Sequence, residues 1–532
     1  MSGLKVCAFC QNLAFQKCSG CQVVYYCTRE HQKSDWKKHK KNCNPFKICD
    51  EVLEPYLVAT RDIKPGEIII QEPPLLIGPS QVTVPICLGC NKAIDVEKFK
   101  PCSKCGWPVC DSTCEKSPNH IPDCQYTVSK GSKVTISTFG SIHPYYQCIT
   151  VLRCLYQKQF LPDIWNKINV LQSRCSERKS TSEYEKDRIS IAQFILRFFK
   201  LKHIFNEEEV LRICGIVKVN AHEVPLTTPP YLALYETSST LTHSCSPNCN
   251  KTFTKNGSLI IKAGTHIKKG EQLFLCYTDP LWGTMDRRRH LYETKFFWCS
   301  CKRCSDSTEF FTYFNAVRCQ SSDCSGYLLP PTFLEQSINR KLPNWICNKC
   351  SCVNSSNHVQ EILDRIGLDF KELPEKDIAA AINFLTIYEK YLHNNHYYLT
   401  KVKYTLSQLI GHEHETNLPQ ISDENLARKA KFCQNIVNLL NILAPGESRK
   451  KGLILFELHA TVAELGRRNA DPHQLVVIIQ EAKKILIEAS EALKHESECF
   501  PEGQIYIQAL KNLKEMEVVL ITLHQKIGDA CL

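Results

Sequence analysis

The feature that most constrains this chain is its cysteine content, 32 residues gathered mainly in short clusters. Disulfides persist in oxidising compartments, whereas clustered cysteines in a reducing compartment usually bind metal. The N-terminal segment MSGLKVCAFC lacks the charged and apolar regions of a secretory signal, and no window reaches the roughly 18 apolar residues that a membrane span needs. We therefore expect a soluble, intracellular protein that binds zinc through thiolates.

Length and composition indicate several ordinary globular domains. At 532 residues the chain is too long for one core, and about 150 residues per domain predicts three or four units. Hydrophobic residues make up 43% and charged residues 23%, which excludes wholesale disorder, collagen-like repeats and coiled-coil rods. The net charge is +11. Six zinc ions bound by 21 thiolates would lower it to about +2, so bulk charge predicts no partner.

Two octets of cysteine and histidine lie in the first quarter of the chain. Tetrahedral zinc takes four nitrogen or sulfur ligands, so each octet predicts two ions. The first octet consists of Cys7, Cys10, Cys18, Cys21, Cys27, His31, His39 and Cys43. The second repeats its order, with histidine again seventh, and consists of Cys87, Cys90, Cys102, Cys105, Cys110, Cys114, His120 and Cys124. The alternative is chance clustering.

Two more cysteine clusters follow. The segment 299–304 supplies three thiolates, so a remote cysteine must complete its tetrahedron. The other has zinc-ribbon spacing and consists of Cys319, Cys324, Cys347 and Cys350. Cys352 is a spare neighbour there, and the alternative is a folded loop with ordinary reduced cysteines. We expect the scattered remaining cysteines to be small buried hydrophobic residues. Together the clusters predict about six zinc ions, whose binding energy would fold these segments.

The segments between the clusters alternate in type. Residues 50–84 and 257–279 contain β-branched runs separated by turn residues, which predicts strands. Residues 130–215 have a helical pattern with a polar, charged loop at 176–188. From about 358 onward, apolar residues recur at intervals of three and four, which predicts an all-helical C-terminal third. The predicted fold class is α+β and multidomain.

Residues 241–248 read LTHSCSPN and resemble the NHSCxPN motif of SET-domain lysine methyltransferases. With the first octet ahead of it, and with GEQLFLCYTDP and a Cys-x-Cys-x-x-Cys segment after it, the order resembles the SET and MYND domain-containing (SMYD) family over nearly the whole chain. The arthropod SmydA subgroup is the most similar. The resemblance implies zinc fingers of the MYND type, a β-rich SET fold split by insertions, and an all-helical, TPR-like C-terminal domain.

The resemblance also implies a division of the chain. The segments are a MYND zinc finger (1–44), the N-terminal part of the SET domain (45–84), a second MYND-like zinc module inserted in it (85–126), a helical SET insertion (127–215), the C-terminal part of the SET core (216–295), a post-SET zinc motif (296–306), a zinc-ribbon-like module (315–355) and a helical TPR-like domain (358–532).

MYND octets interleave, so the resemblance implies how the ligands pair. The two sites of the first finger would be Cys7, Cys10, Cys27, His31 and Cys18, Cys21, His39, Cys43. On the same scheme the second finger divides into Cys87, Cys90, Cys110, Cys114 and Cys102, Cys105, His120, Cys124. Cys245 of the motif would complete the tetrahedron of Cys299, Cys301 and Cys304.

Residue by residue, the resemblance implies a site for S-adenosylmethionine. Tyr277 matches the catalytic tyrosine, and Phe297 matches an aromatic residue that packs on adenine. The implied cofactor-binding set is Asn220, Thr242, His243, Tyr277 and Phe297. Methyl transfer from a sulfonium to a neutral lysine amine needs little acid–base machinery, so positioning, electrostatics and a desolvating channel should dominate, with Tyr277 orienting the amine.

The sequence departs from the family pattern around this site. Glu54 and Pro55 stand in place of a glycine-bearing cofactor loop, and neither permits the close backbone approach that glycine allows. Thr242 replaces the asparagine that opens the motif and loses an amide that can donate and accept. Lys295 replaces a second active-site tyrosine, and its ammonium would oppose a sulfonium and an arriving lysine. We expect these differences to weaken cofactor binding and turnover.

Three functions compete. The first is an S-adenosylmethionine-dependent protein-lysine N-methyltransferase that acts on a histone or non-histone protein in transcriptional regulation, in the nucleus and cytoplasm. The second is a catalytically weak or inactive adaptor whose first finger binds proline-rich peptides through Gln32 and Trp36; Trp36 packing inside the finger is the alternative. The third, nucleic-acid binding through the basic runs 37–41 and 287–289, is the least favoured, since such runs are usually solvated faces. We expect a monomer without membrane association.

Overall fold

The computed structural model of the protein describes residues 5–18, 24–40, 43, 45–50, 54–334, 343–412 and 418–530. Short strands prevail in its N-terminal half and long helices in its C-terminal third. The strands are β1 (Gln16–Lys17), β2 (Tyr25–Tyr26), β3 (Phe46–Cys49), β4 (Tyr56–Ala59), β5 (Ile68–Glu72), β6 (Leu76–Pro79), β7 (Lys100–Pro101), β8 (Pro108–Val109), β9 (His222–Val224), β10 (Tyr231–Leu234), β11 (Thr242–His243), β12 (Cys249–Phe253), β13 (Leu259–Ala263), β14 (Phe274–Leu275), β15 (Val317–Arg318), β16 (Tyr327–Leu329), β17 (Trp345–Cys347) and β18 (Val353–Asn354).

The helices confirm the predicted α+β class and the helical C-terminal region, while the domain boundaries stay predictions. The α-helices are α1 (Arg29–His39), α2 (Ser112–Glu115), α3 (Ile121–Ser129), α4 (Ile149–Phe160), α5 (Pro162–Asn169), α6 (Cys175–Arg178), α7 (Ser182–Asp187), α8 (Phe194–Phe198), α9 (Glu207–Asn220), α10 (Thr284–Lys295), α11 (Lys302–Ser305), α12 (Ser356–Lys371), α13 (Ile378–Tyr388), α14 (Tyr397–Leu409), α15 (Asp423–Leu443), α16 (Ser448–Asn469), α17 (Pro472–Leu493) and α18 (Pro501–Ala530). Among the described residues, no helix is both long and apolar enough to span a bilayer.

The predicted loop at 176–188 is wrong, because most of this charged segment is helical. It contains the end of α6 and the whole of α7, and a π-helix at Arg188–Gln193 continues it into α8. The Thr181 hydroxyl caps α7 by accepting from Tyr184 N. Arg178 and Asp187 form a buried ion pair that joins the two short helices.

Two antiparallel sheets form the centre of the N-terminal half, in the orders β6-β10-β9 and β12-β13-β5. All five residues of β13 are buried, including Lys262. Leu259, Ile261 and Ala263 join a core that also receives Phe500, the residue just before α18. The C-terminal helices therefore complete the burial of this sheet.

A parallel strand pair brings two distant sequence segments together. Strand β11 pairs with β14, so that Thr242 faces Phe274 and His243 faces Leu275. Asn248, at the end of the HSCSPN segment, fixes this pairing because its Oδ1 accepts from Phe274 N at 2.8 Å and its Nδ2 donates to Gln272 O at 2.8 Å. The two segments that carry the family resemblance therefore lie side by side.

The helical C-terminal region docks on the sheet through a buried charge cluster. Glu496 follows α17, accepts from Thr252 Oγ1 at 2.7 Å, and lies 3.5 Å from Lys262 Nζ and 3.3 Å from Arg449 Nη2. Nearby, Gly446 N donates to Pro247 O at 3.0 Å, and a Cβ on Gly446 would come within 2.5 Å of that oxygen. The interface therefore includes a buried carboxylate with three partners and a close backbone approach.

We predict that Glu496→Ala destabilises the protein by about 3 kcal/mol, because it leaves the buried Lys262 ammonium without its countercharge. Urea denaturation of the two proteins measures the difference in the free energy of unfolding. Glu498→Ala is the control, since this exposed residue lies two positions away and should change stability by less than about 0.5 kcal/mol. Equal stability of the two variants would contradict the role given to Glu496.

Candidate functional site

Four predicted sets of side chains come together, three from the interleaved pairing of the fingers and one around Cys245. In each set, one potential ligand atom per residue lies within 4.8 Å of the others. The sets are Cys7, Cys10, Cys27, His31; Cys87, Cys90, Cys110, Cys114; Cys102, Cys105, His120, Cys124; and Cys245, Cys299, Cys301, Cys304. Sulfur ligands of a tetrahedral zinc ion lie about 3.8 Å from one another, given Zn–S bonds of about 2.3 Å. These sets therefore fit zinc.

The second site of the first finger is only partly described. Cys18 Sγ lies 3.7 Å from Cys43 Sγ, and His39 is buried at the end of α1. Cys21, the remaining predicted ligand, lies outside the described residues. The position of this fourth ligand stays a prediction.

The ribbon cluster contains five thiols in place of the predicted four. The set of close sulfur atoms includes Cys352 with Cys319, Cys347 and Cys350. Cys319 Sγ lies 3.3 Å from Cys352 Sγ, and Cys324 Sγ lies 3.7 Å from Cys347 Sγ. Cys352, set aside in the sequence as a spare, is thus a ligand candidate equal to Cys324, and the Cys350-Ser-Cys352 spacing is the signal that could have identified it.

The second finger is fastened to the sheet by a buried arginine. Arg153 on α4 donates to Ile77 O and Leu88 O, each at 2.8 Å, and its Nη2 lies 2.6 Å from Asp123 Oδ2. The same carboxylate lies 4.0 Å from Nδ1 of His120, whose Nε2 lies 3.4 Å from Cys105 Sγ. Asp123 thus faces the ring nitrogen of His120 that points away from the cysteines, which is where carboxylates lie beside ligand histidines in many zinc sites.

A cavity of about 860 Å³ lies beside the Cys245 cluster. All five predicted cofactor residues line it: Asn220, Thr242, His243, Tyr277 and Phe297. The residues that depart from the family pattern, Glu54, Pro55 and Lys295, line it as well. The residues that match the family pattern and those that differ from it therefore line the same cavity. The role of each residue stays a prediction.

His243 links the cysteine cluster to the cavity. Its Nδ1 accepts from Tyr277 N at 3.0 Å, which places the ring proton on Nε2, and Nε2 lies 3.2 Å from Cys245 Sγ. Both ring nitrogens therefore have protein partners, and the ring contributes its face, 6.0 Å from the ring of Phe297. A cofactor would meet the carbon face of His243, not its nitrogens.

The Tyr277 hydroxyl donates to the backbone oxygen of Leu241. Burial, and then the nearby Glu54 carboxylate, raise the pKa of Tyr277. The hydroxyl is therefore protonated at neutral pH, held by one carbonyl, and able to accept a hydrogen bond through its remaining lone pairs.

Two of the predicted cofactor-binding side chains, Asn220 and Thr242, already form hydrogen bonds within the protein. Asn220 Nδ2 donates to Gln172 O and to Ile216 O, each at 2.7 Å, because Asn220 ends α9 and its amide folds back over the last turn. The Thr242 hydroxyl accepts from Gln272 Nε2 at 2.8 Å. The amide hydrogens of Asn220 therefore face backbone carbonyls and not the cavity.

Five cavity residues that no sequence pattern selects carry a charge or a titratable ring, namely Arg174, His222, Glu223, Lys251 and His290. Arg174 has a left-handed backbone, with φ 50°, and forms an ion pair with Glu54. Lys251 Nζ lies 3.2 Å from His222 Nδ1. Lys251 occupies a strand and His222 begins another, so no local pattern distinguishes them from ordinary strand residues.

The basic run 287–289 is mostly unavailable to phosphates. Arg287 and Arg288 are fully buried on α10, and only Arg289 is exposed. Arg288 donates to the backbone oxygens of Cys299 and Leu334, at 3.0 and 3.2 Å. Both side chains are used inside the protein, and Arg288 anchors the cysteine segment 299–304. This removes one of the two observations behind a nucleic-acid function.

Comparison with known proteins agrees with this arrangement. A family model for the MYND finger matches residues 7–43, and one for the SET domain matches residues 55–278. SET domain-containing protein SmydA-8, isoform A, of Drosophila melanogaster is 26% identical over 411 residues, which cover 75% of this chain and 85% of that protein. The predicted SET fold and MYND finger are confirmed.

Two relatives carry names that state an activity. Histone-lysine N-methyltransferase ASHR1 of Arabidopsis thaliana is 24% identical over 426 residues, which cover 75% of this chain and 82% of that protein. Histone-lysine N-methyltransferase SMYD3 of Homo sapiens is 26% identical over 267 residues, which cover 47% of this chain and 58% of that protein.

We predict that Cys301→Ser/Cys304→Ser lowers the zinc content by about one ion per chain, because two thiolates of the Cys245 cluster are lost. Elemental analysis of the reduced, gel-filtered protein measures the zinc. Cys499→Ser is the control, since this exposed cysteine belongs to none of the ligand sets named above. Unchanged zinc in the double variant would show that the cluster binds none.

Proposed function

Because the chain belongs to the SET and MYND domain-containing (SMYD) family, we propose that it is an S-adenosylmethionine-dependent protein-lysine N-methyltransferase. The observation that carries the proposal is the Tyr277 hydroxyl at the wall of an 860 Å³ cavity that Phe297 and His243 also line. The names of ASHR1 and SMYD3 support the same reaction class. On the resemblance, we also propose a histone or non-histone substrate in transcriptional regulation, residence in the nucleus and cytoplasm, and a monomeric state.

The cavity suits an adenosyl ligand in size and in part of its lining. Pockets for ligands of this size usually measure about 300–1,000 Å³ and combine aromatic walls with a few polar groups. Phe297 offers an aromatic face, and the segment 238–243 also lines the cavity and includes three hydroxyl-bearing side chains besides Thr242. The ammonium of Lys295 opposes the positive sulfonium, and Lys251 adds a second cation to the cavity lining.

S-adenosylmethionine, when bound, supplies an electrophilic methyl group. The protein's part is to position a lysine amine and to strip it of water, since desolvation favours the neutral amine. The Tyr277 hydroxyl, fixed by Leu241 O, can accept a hydrogen bond from that amine and orient its lone pair. The cysteine cluster holds Tyr277 through His243, so the hydroxyl keeps its position without the substrate.

The proposed metal content is about six zinc ions. Four fully described sets of four ligands, the five-thiol ribbon and the Cys18–Cys43 pair support this number. The proposed role of the metal is structural, because each complete set uses only protein ligands and leaves no open coordination position.

A second candidate function is an adaptor that binds proline-rich peptides through the first finger. The side chain of Trp36 on α1 is 41% exposed, and Gln32 lies one turn earlier on the same helix. An exposed indole is a suitable platform for a polyproline helix, whereas packing inside the finger would bury it. This function is compatible with catalysis, since the finger and the cavity use different residues.

We predict that Tyr277→Phe lowers the rate of lysine methylation by about a hundredfold, because the hydroxyl that orients the amine is lost. Transfer of a radiolabelled methyl group from S-adenosylmethionine to a histone mixture measures the rate, and calorimetry with S-adenosylhomocysteine tests whether the pocket is intact. Tyr391→Phe removes a hydroxyl from a 43% exposed ring that does not line the cavity and is the control. A Tyr277→Phe enzyme with full activity would remove Tyr277 from the mechanism.

Trp36→Ala should weaken binding of a synthetic proline-rich peptide at least tenfold, because the exposed aromatic platform is removed. Calorimetric titration measures the Kd, and unchanged zinc content shows that the finger remains folded. Lys38→Ala alters an exposed residue of the same helix and should leave the affinity unchanged within about twofold. An equally tight Trp36→Ala protein would rule out this surface.

A further inference from the structure

Lys295 places an amine inside the cavity, beside the tyrosine. It is the last residue of α10, and the left-handed backbone of Phe296, with φ 62°, turns the chain immediately after it. Lys295 Nζ donates to Val219 O at 2.6 Å and lies 5.8 Å from the centre of the Tyr277 ring. The amine is therefore held at a defined position in the cavity wall and does not extend into solvent.

The charged groups around Lys295 do not neutralise it. Lys251 and His222 face the cavity from strands β12 and β9, and His290 lies one turn earlier on α10. Burial lowers the pKa of His222 well below its usual value, and that of His290 is also lowered, so both rings are neutral at pH 7. Lys251 is therefore the neighbouring cation.

Neither of the two carboxylates that line the cavity, Glu54 and Glu223, forms an ion pair with Lys295. Glu54 is paired with Arg174, and Glu223 is an exposed residue of β9. Among the described residues, no carboxylate lies within ion-pair distance of Lys295 Nζ; its hydrogen-bond partner is a backbone carbonyl. Burial first, and then the charge of Lys251, lower the pKa of Lys295 to about 8.

We propose that Lys295 makes this cavity discriminate between adenosyl ligands by charge, so that it binds the neutral thioether S-adenosylhomocysteine more tightly than the sulfonium S-adenosylmethionine. The inference rests on the proposed function, since it takes the cavity to be the site of adenosyl ligands. It assigns to Lys295 a specificity role that the tyrosine expected from the family pattern does not have, because a phenol carries no positive charge.

The preference for S-adenosylhomocysteine over S-adenosylmethionine should decrease as the pH rises. At pH 6.5 Lys295 is an ammonium, and it repels the sulfonium across a partly desolvated cavity. As the pH rises through about 8 the amine becomes neutral and the repulsion disappears. Because binding of S-adenosylmethionine is linked to loss of this proton, its affinity rises up to about tenfold per pH unit below that value and levels off above it.

Calorimetric titration of the full-length, zinc-loaded chain with each ligand, at pH 6.5 and 9.0, tests the proposal. The wild type should bind S-adenosylhomocysteine at least about tenfold more tightly than S-adenosylmethionine at pH 6.5, and the preference should shrink at pH 9.0. Lys295→Gln should show a small, pH-independent preference, and Lys295→Arg should keep a large one at both pH values. The amino group of the ligands titrates in the same way in every variant, so differences between variants report residue 295.

Lys255→Gln, a change of an exposed lysine, is the matched control and should behave as the wild type does. The proposal is overturned if the wild-type preference does not change with pH, or if Lys295→Gln and Lys295→Arg show the same preference. Where one of the two variants fails to fold, comparison of the wild type with the other variant at both pH values decides the question. Absence of binding by both ligands, in the wild type and in Lys295→Gln, would instead reject the proposed function together with this inference.

Discussion

The arrangement of the cavity depends on the meeting of four sulfur atoms from two separate segments, Cys245 after β11 and the 299–304 segment after α10. A metal ion at this point would fix the loop that carries His243 and, through it, the backbone of Tyr277. It would also fix the segment just after Phe297. The thiolates would repel one another without a cation between them, so zinc binding here would contribute folding energy to the cavity itself.

A second constraint acts on the same loop from the C-terminal helices. Arg303 is buried, pairs with Glu309, and donates to Cys245 O at 3.1 Å and to Leu443 O at 3.4 Å. Gly446 approaches the backbone of Pro247 in the same region. The helical region is thus part of the structure that positions the site. We expect substitutions of Glu496 or Gly446 that loosen this interface to alter the geometry of the cavity as well.

The sequence predicted the features that depend on the spacing of neighbouring residues. It did not predict contacts between residues that lie far apart in the chain. Cysteine spacing predicted the ligand clusters, and the family resemblance predicted both their division into four complete ligand sets and the five cofactor residues that line the cavity. Cys352 was set aside because ribbon spacing was already satisfied by Cys324. Lys251 and His222 could not be selected, since they come together only through packing of separate strands. The charged residues of segment 176–188 favour a loop, but two of them, Arg178 and Asp187, form a buried ion pair between helices that the sequence alone does not reveal.

The central claim is that a zinc ion at the Cys245 cluster holds the cavity in shape. Anomalous X-ray diffraction above and below the zinc absorption edge, from crystals of the reduced protein grown without added metal, tests it most directly. The account predicts a zinc peak about 2.3 Å from each of the four sulfur atoms of Cys245, Cys299, Cys301 and Cys304. An intact cavity with no anomalous peak between these sulfur atoms would contradict it.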